Sequence, residues 1–295
     1  MNSRDRLKSV LLAFRHKTLT AALVPCLAGT ALVRAIGLPW DGWVLFYALM
    51  ASFLIQIGTN LVNDAVDFKK GADTEKRIGP QRITQAGILT ANQVMFLGSL
   101  CFFLAVLCGI PLVLKGGWPL VLIGVASVLM GYAYTAGPFP LAYLGLGDLF
   151  VILFFGIIAV MGIVFLNTGE WYSEAFVLGL QIGFHATVLI AINNLRDQQG
   201  DRLVNKKTLA VRFGVNFSRW EILFLSFAPF AINIYWWFEG YKIPAILGFL
   251  ALPLAIKLVR NVFQTEPGPT YNRFLAQAAG LHLVFGLLLT AGFAY

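Results

Sequence analysis

Charge is scarce in this chain. Asp, Glu, Lys and Arg together make up 12% of its 295 residues, where a soluble domain carries about 25%. The deficit argues against an ordinary water-soluble domain and points to lipid as the solvent. Cysteine is rare too, and its placement excludes a disulfide framework. Cys101 and Cys108 lie two turns apart on one predicted helix, roughly 10 Å along its axis, too far to bridge. Cys26 is alone, and all three read as core residues, since a free cysteine packs as a small hydrophobe. No segment has the small-residue cleavage site of a signal peptide, so the first apolar stretch is expected to persist as a helix.

What is present in excess is apolar sequence: 58% of residues are hydrophobic and the mean hydropathy is +0.76. Runs near the roughly 20 residues that span a bilayer recur along the whole length. They predict helices at 18–37, 42–63, 92–114, 118–136, 148–166, 175–195, 220–238, 243–260 and 273–294. The basic residues alternate with these spans. All but Arg34, Lys115 and Lys242 fall in the N-terminal segment, in the second and sixth connections, or in the eighth connection with its flanks (Lys257, Arg260 and Arg273). Under the positive-inside rule this bias puts the N-terminus in the cytoplasm and the C-terminus outside. The net charge of +8 therefore suits anionic headgroups and an anionic substrate, not nucleic acid.

Two connections differ from the rest. Residues 60–87 contain Asp64, Asp67, Asp73 and Glu75, and residues 193–214 contain Asp197 and Asp201. Asn63 and Asp67 are four apart and share a helix face, as do Asn193, Asp197 and Asp201. Asp73 follows Gly71, where the helix is expected to have ended. Clustered carboxylates at a membrane repel one another unless a cation joins them. Oxygen ligands without nearby His or Cys suit Mg²⁺, held by one or two carboxylates plus substrate phosphates. Arg77, Arg82, Arg196, Arg202, Lys206 and Lys207 supply charge for those phosphates. The two connections read as halves of one diphosphate–magnesium site. Their equivalent positions, four helices apart, suggest an internal repeat.

These residues carry a family resemblance. Asn63-Asp64-Ala65-Val66-Asp67 with Asp73, then Arg77-Ile78-Gly79-Pro80, and later Asp197 and Asp201 within Asn193-Asn194-Leu195-Arg196-Asp197, resemble the UbiA superfamily of membrane aromatic prenyltransferases. Within it the chain is most similar to the 1,4-dihydroxy-2-naphthoate prenyltransferases of menaquinone biosynthesis, whose pattern also matches Lys207-Thr208-Leu209-Ala210-Val211-Arg212. Arg15-His16-Lys17-Thr18-Leu19 resembles the start of the family's first helix, with His16 where proline is expected. Asn205 stands where glycine is usual before Lys206. Tyr134-Thr135-Ala136-Gly137-Pro138 followed by Gly145-Leu146-Gly147-Asp148 resembles the connection between helices 4 and 5.

The resemblance implies an all-α bundle of nine transmembrane helices around a central cavity, capped on the cytoplasmic side by the motif loops. It implies one domain over 1–295, with an N-terminal half to about 136 and the rest from 137, in a cytoplasmic (inner) membrane. Magnesium would join Asn63, Asp64, Asp67, Asp73, Asp197 and Asp201 to a polyprenyl diphosphate held by Arg77, Arg82, Arg196, Lys206 and Lys207. Lys17, Tyr132, Tyr134, Asp148, Asn193 and Asn194 would line the acceptor side. Gln181 and His185, four apart inside helix 6, are either substrate contacts or structural hydrogen bonds; His16 and His282 read as structural. Homogentisate, 4-hydroxybenzoate or a chlorin are the alternative acceptors. A transporter of magnesium or phosphate would instead place its carboxylates in mid-helix, whereas these cluster at helix ends.

Overall fold

Apolar helices in lipid must satisfy every backbone polar group internally, and that is the architecture found. The structure is a computed structural model that describes residues 14–15, 18–72, 78–80 and 82–295. Those residues form helices and connections without a strand. The rods are α1 (Thr20–Ala35), α2 (Gly42–Lys69), α3 (Ala91–Gly116), α4 (Trp118–Ala133), α5 (Gly147–Thr168), α6 (Ser173–Leu203), α7 (Leu209–Phe238), α8 (Lys242–Gln264) and α9 (Tyr271–Ala294). Seven are long and apolar enough to cross a membrane; α1 and α4, at 16 residues each, are shorter.

Two helices overrun the spans that hydropathy predicts. α2 continues from 63 to Lys69 and α6 from 195 to Leu203. The columns Asn63–Asp67 and Asn193–Asp197–Asp201 therefore stand on helices, and the connections proper begin after Lys69 and Leu203. Hydropathy falls at 63 and 195 because the next residues are polar. They nevertheless face protein, not water: Asp64, Asp67, Arg196 and Asp201 are all buried. α7 likewise begins at Leu209, earlier than its predicted start, and breaks at Gly214, whose φ of 86° a side chain would strain.

α6 is the axis of the bundle, the most deeply buried of the long helices, packing on α1, α5, α7 and α9. Its approach to α5 depends on glycine. A Cβ on Gly156, within a π-helical turn at Leu153–Ile157, would lie 2.3 Å from the Gly179 carbonyl oxygen. This contact lets the first half of α5 pack closely on α6.

Deep in the bundle, α6 and α7 are joined by buried amides. Gln181 donates to Asn233 Oδ1 (2.8 Å) and to the Pro229 carbonyl (2.7 Å), and accepts from Trp236 Nε1 (2.6 Å). His185 Nε2 lies 3.1 Å from the Ser226 carbonyl, with the ring packed edge-on to Phe230 and Phe285. Neither residue lines the polar cavity between α2 and α6 or the apolar one beside it, and their hydrogen bonds favour the structural alternative. His282 similarly bonds the Thr20 carbonyl. Gln181→Leu leaves the buried Trp236 and Asn233 groups without their partner, which costs about 1–3 kcal/mol. Thermal unfolding in detergent should show that loss, while turnover of surviving protein is retained. An unchanged midpoint would contradict the role.

At the end of the bundle away from the motifs, Lys115 pairs with Asp41. One of the three exceptions to the charge bias is thereby neutralised.

Candidate active site

The C-terminal ends of α2 and α6 face each other across a cavity of ≈ 360 Å³. Asn63 and Asp67 line it from α2, and Asn193, Asn194, Asp197 and Asp201 from α6. The four-residue spacing turns each column inward. Arg82, Lys206, Tyr134 and Asp148 complete the polar wall.

Asp67 and Asp201 each have a cation beside them. Arg82 donates to Asp67 Oδ2 (3.2 Å), and the Tyr143 hydroxyl donates to Asp67 Oδ1 (2.9 Å). Lys206 pairs with Asp201 (3.4 Å). Lys70 Nζ lies 4.0 Å from the centre of the Tyr143 ring and donates to the Thr135 carbonyl. Burial lowers the Lys70 pKa, the Asp67 carboxylate raises it, and Lys206 lowers it again. Three acceptor oxygens of the lining, Asn63 Oδ1, Asp148 Oδ1 and Asp201 Oδ2, are buried without a hydrogen-bond partner among the described residues.

Four residues assigned to the site by resemblance do not line this cavity. Asp64 points away from the cavity and accepts from the Ile83 and Thr84 amides (3.2 and 3.3 Å) and from the Thr84 hydroxyl. It anchors the connection that carries Arg82. Arg196 is 2% exposed. Its fork is spent on Asp197 (2.8 and 2.7 Å), Asn193 Oδ1 (2.5 Å) and Asn272 Oδ1 (2.7 Å), so it holds two cavity residues of α6 and does not itself line the cavity. Lys207 has an exposed side chain. Its backbone joins the α6–α7 connection to the α4–α5 turn, donating to the Tyr143 carbonyl and accepting from Arg212 Nε. Gly145 (φ 74°) makes room there, since a Cβ would sit 2.6 Å from the Lys207 carbonyl. Tyr132 is 43% exposed on the outside of the bundle. Asp73, Arg77 and Lys17 lie outside the described residues. Asn205, at the glycine position, adopts φ 56°, a left-handed conformation that asparagine tolerates better than most residues.

Nothing in the sequence singles out Tyr143 or Lys70. A lone tyrosine in a turn between apolar helices reads as an interface residue, and Lys70 reads as part of the charge bias.

A second cavity, of ≈ 560 Å³, is lined by apolar side chains of α1 to α5, among them Ile55, Met130 and Phe154. It runs from Tyr134 to Leu166 near the other end of α5. Tyr134 lines both cavities.

A magnesium site must be tested against these donors. Among the described residues no three His, Cys, Asp or Glu side chains gather closely enough to cage an ion. Opposed oxygen donors, two of them unsatisfied, instead fit an ion that shares its coordination with substrate phosphates.

The sequence profile described as the UbiA prenyltransferase family matches residues 22–289. The 1,4-dihydroxy-2-naphthoate octaprenyltransferase of Escherichia coli (strain K12) is 32% identical, with 98% of this chain and 96% of that protein covered. The protein of the same name from Bacillus subtilis (strain 168) is 30% identical over 94% of this chain and 89% of its own length. A UbiA homolog from Archaeoglobus fulgidus, bound to DMAPP and Mg²⁺, shares the fold with a TM-score of 0.63 at 14% identity, covering 96% of this chain and 99% of that one.

Proposed function

The chain belongs to the UbiA prenyltransferase family, and from that premise we propose that it transfers a polyprenyl group from polyprenyl diphosphate to 1,4-dihydroxy-2-naphthoate. Carbon dioxide leaves and a demethylmenaquinol results, as menaquinone biosynthesis requires. The observation that carries this reading is the meeting of two unlike cavities at Tyr134. A charged chamber fits a diphosphate, and an apolar one of ≈ 560 Å³ fits a polyprenyl chain joined to it. The full-length similarity to naphthoate octaprenyltransferases supports the acceptor.

Asn63, Asp67, Asp197 and Asp201 would hold Mg²⁺, with Asp73 added by resemblance. When bound, the metal supplies positive charge that stabilises a departing diphosphate. Arg82 and Lys206 add fixed positive charge where that negative charge develops; Arg77 is assigned alongside them by resemblance alone. The apolar chamber excludes water from the allylic carbon. Asn193 and Asn194 offer amides to the acceptor. The Asp148 Oδ1 atom, buried without a partner, is suited to accept from a ring hydroxyl, and Tyr134 stands between ring and chain. Lys17 is the resemblance's candidate for the acceptor carboxylate. Attack by the ring carbon bearing that carboxylate forms the new carbon–carbon bond as the C–O bond to diphosphate breaks. The neighbouring ring hydroxyl gives up its proton, leaving a carboxylate beside a carbonyl; loss of CO₂ restores the aromatic ring as a quinolate, which takes a proton back to give the quinol.

Mass spectrometry of the lipid products from a mixture of naphthoate, homogentisate and 4-hydroxybenzoate tests the reading. The naphthoate-derived quinol should dominate; preference for either other acceptor would move the chain to another branch.

The same reading puts the protein in a cytoplasmic membrane, with α1 and α4 also spanning, the motif loops as a cytoplasmic cap and the termini on opposite sides. The basic bias supports that orientation. Single cysteines introduced at Ser3 and Tyr295 should react with an impermeant thiol reagent on opposite faces. Labelling of both from one face would rule out nine spans.

A further inference from the structure

Asn272 lies in the first turn of α9, outside every motif, yet it touches both halves of the site. Its Oδ1 accepts from Arg196 Nη1 at 2.7 Å, and its Nδ2 donates to the Ile78 carbonyl at 3.0 Å. Ile78 lines the polar cavity on the connection that follows α2, and Arg196 stands on α6.

We propose that Asn272 is a positioning residue that yokes the two halves of the diphosphate site through Arg196. The inference rests on the reading of that cavity as the diphosphate site.

The chemistry of the guanidinium carries the argument. Arg196 presents a planar fork whose donors are fixed relative to one another. Two of its bonds go to the Asp197 oxygens and one to Asn193 Oδ1, and both of those residues line the cavity. The orientation of that plane therefore sets where two α6 side chains of the cavity point, the proposed metal ligand Asp197 among them. Asn272 supplies the bond from outside α6, and so ties the plane to α9. Through its amide nitrogen the same side chain ties α9 to the α2 connection. A primary amide can accept on one side and donate on the other. A carboxylate of equal size can only accept, and an isobutyl group does neither.

The variants separate these bonds. Asn272→Leu removes both, Asn272→Asp keeps the Arg196 bond and loses the Ile78 one, and Asn272→Gln keeps the chemistry on a longer stem. Steady-state kinetics should show Asn272→Leu raising KM for polyprenyl diphosphate about tenfold, the scale of a lost hydrogen bond to a charged group. KM for the aromatic acceptor should rise less than that, since Asn193 is the one acceptor-side group that Arg196 holds. Asn272→Asp should fall between wild type and Asn272→Leu, and Asn272→Gln should recover at least part of the loss. A readout without turnover comes from calorimetric titration of Mg²⁺ with an unreactive prenyl thiolodiphosphate, whose affinity should fall in the same order.

Unchanged diphosphate KM and affinity in Asn272→Leu would overturn the proposal. So would parallel loss of both KM values with a lowered melting temperature, the mark of a merely structural contact. If Asn272→Leu does not fold, the position of Asn272→Asp decides: diphosphate affinity equal to wild type contradicts the yoke. An acceptor other than naphthoate would overturn the functional reading and leave these diphosphate measurements standing.

Discussion

Asp67→Asn and Asp201→Asn should each lower turnover by at least about a hundredfold, the scale of losing one preorganised electrostatic contact to developing charge. Both substitutions keep side-chain size and remove the negative charge. The two carboxylates sit on different helices and line the same cavity. Asp67 is held by Arg82 and Tyr143, and Asp201 by Lys206. If these acids served only to neutralise their cations, the amides would lower stability and spare activity. Kinetics of purified variants with wild-type melting behaviour tells the two apart. Turnover within about tenfold of wild type in either variant would remove that residue from the site.

Arg196→Met should damage stability and activity together. The arginine is 2% exposed, and Asp197, its partner, has a side chain 15% exposed. Removing one member of a buried pair strands the other's charge, typically at 3–5 kcal/mol; the partial exposure of Asp197 puts this case near the lower end, at about 3 kcal/mol. Methionine fills the volume but cannot bond Asp197, Asn193 or Asn272. Because two of those three line the cavity, turnover should fall about a hundredfold as well, in keeping with misplaced catalytic groups. Denaturation in detergent and kinetics on the folded fraction measure the two losses separately. Lost activity at wild-type stability would instead indicate direct contact between Arg196 and substrate.

Helical periodicity makes much of this site legible in the sequence. Asn63 with Asp67, and Asn193 with Asp197 and Asp201, face the cavity as their spacing predicts. The same periodicity carries a warning that the family motif overrides. Asp64 is one residue past Asn63, about 100° around the helix, and it does turn away to hold Ile83 and Thr84. Tyr132 and Tyr134, two residues apart, diverge in the same way: one is exposed outside the bundle, the other lines both cavities.

Helix ends escape the sequence for a different reason. Hydropathy marks where a chain leaves lipid, and α2 and α6 leave lipid for a polar cavity while remaining helical. The role of Arg196 depends on a partner 76 positions away, and a single asparagine at the start of a helix gives no sequence signal of such a contact. Tyr143 is hidden similarly, since its partner Asp67 precedes it by 76 residues.

The central claim is that a prenyl chain replaces the carboxylate of the naphthoate. The most direct measurement supplies purified protein in nanodiscs with Mg²⁺, polyprenyl diphosphate and 1,4-dihydroxy-2-naphthoate labelled in its carboxyl carbon. The proposed reaction requires labelled CO₂ to appear one-for-one with prenylated quinol. A prenylated product that keeps the label would contradict it.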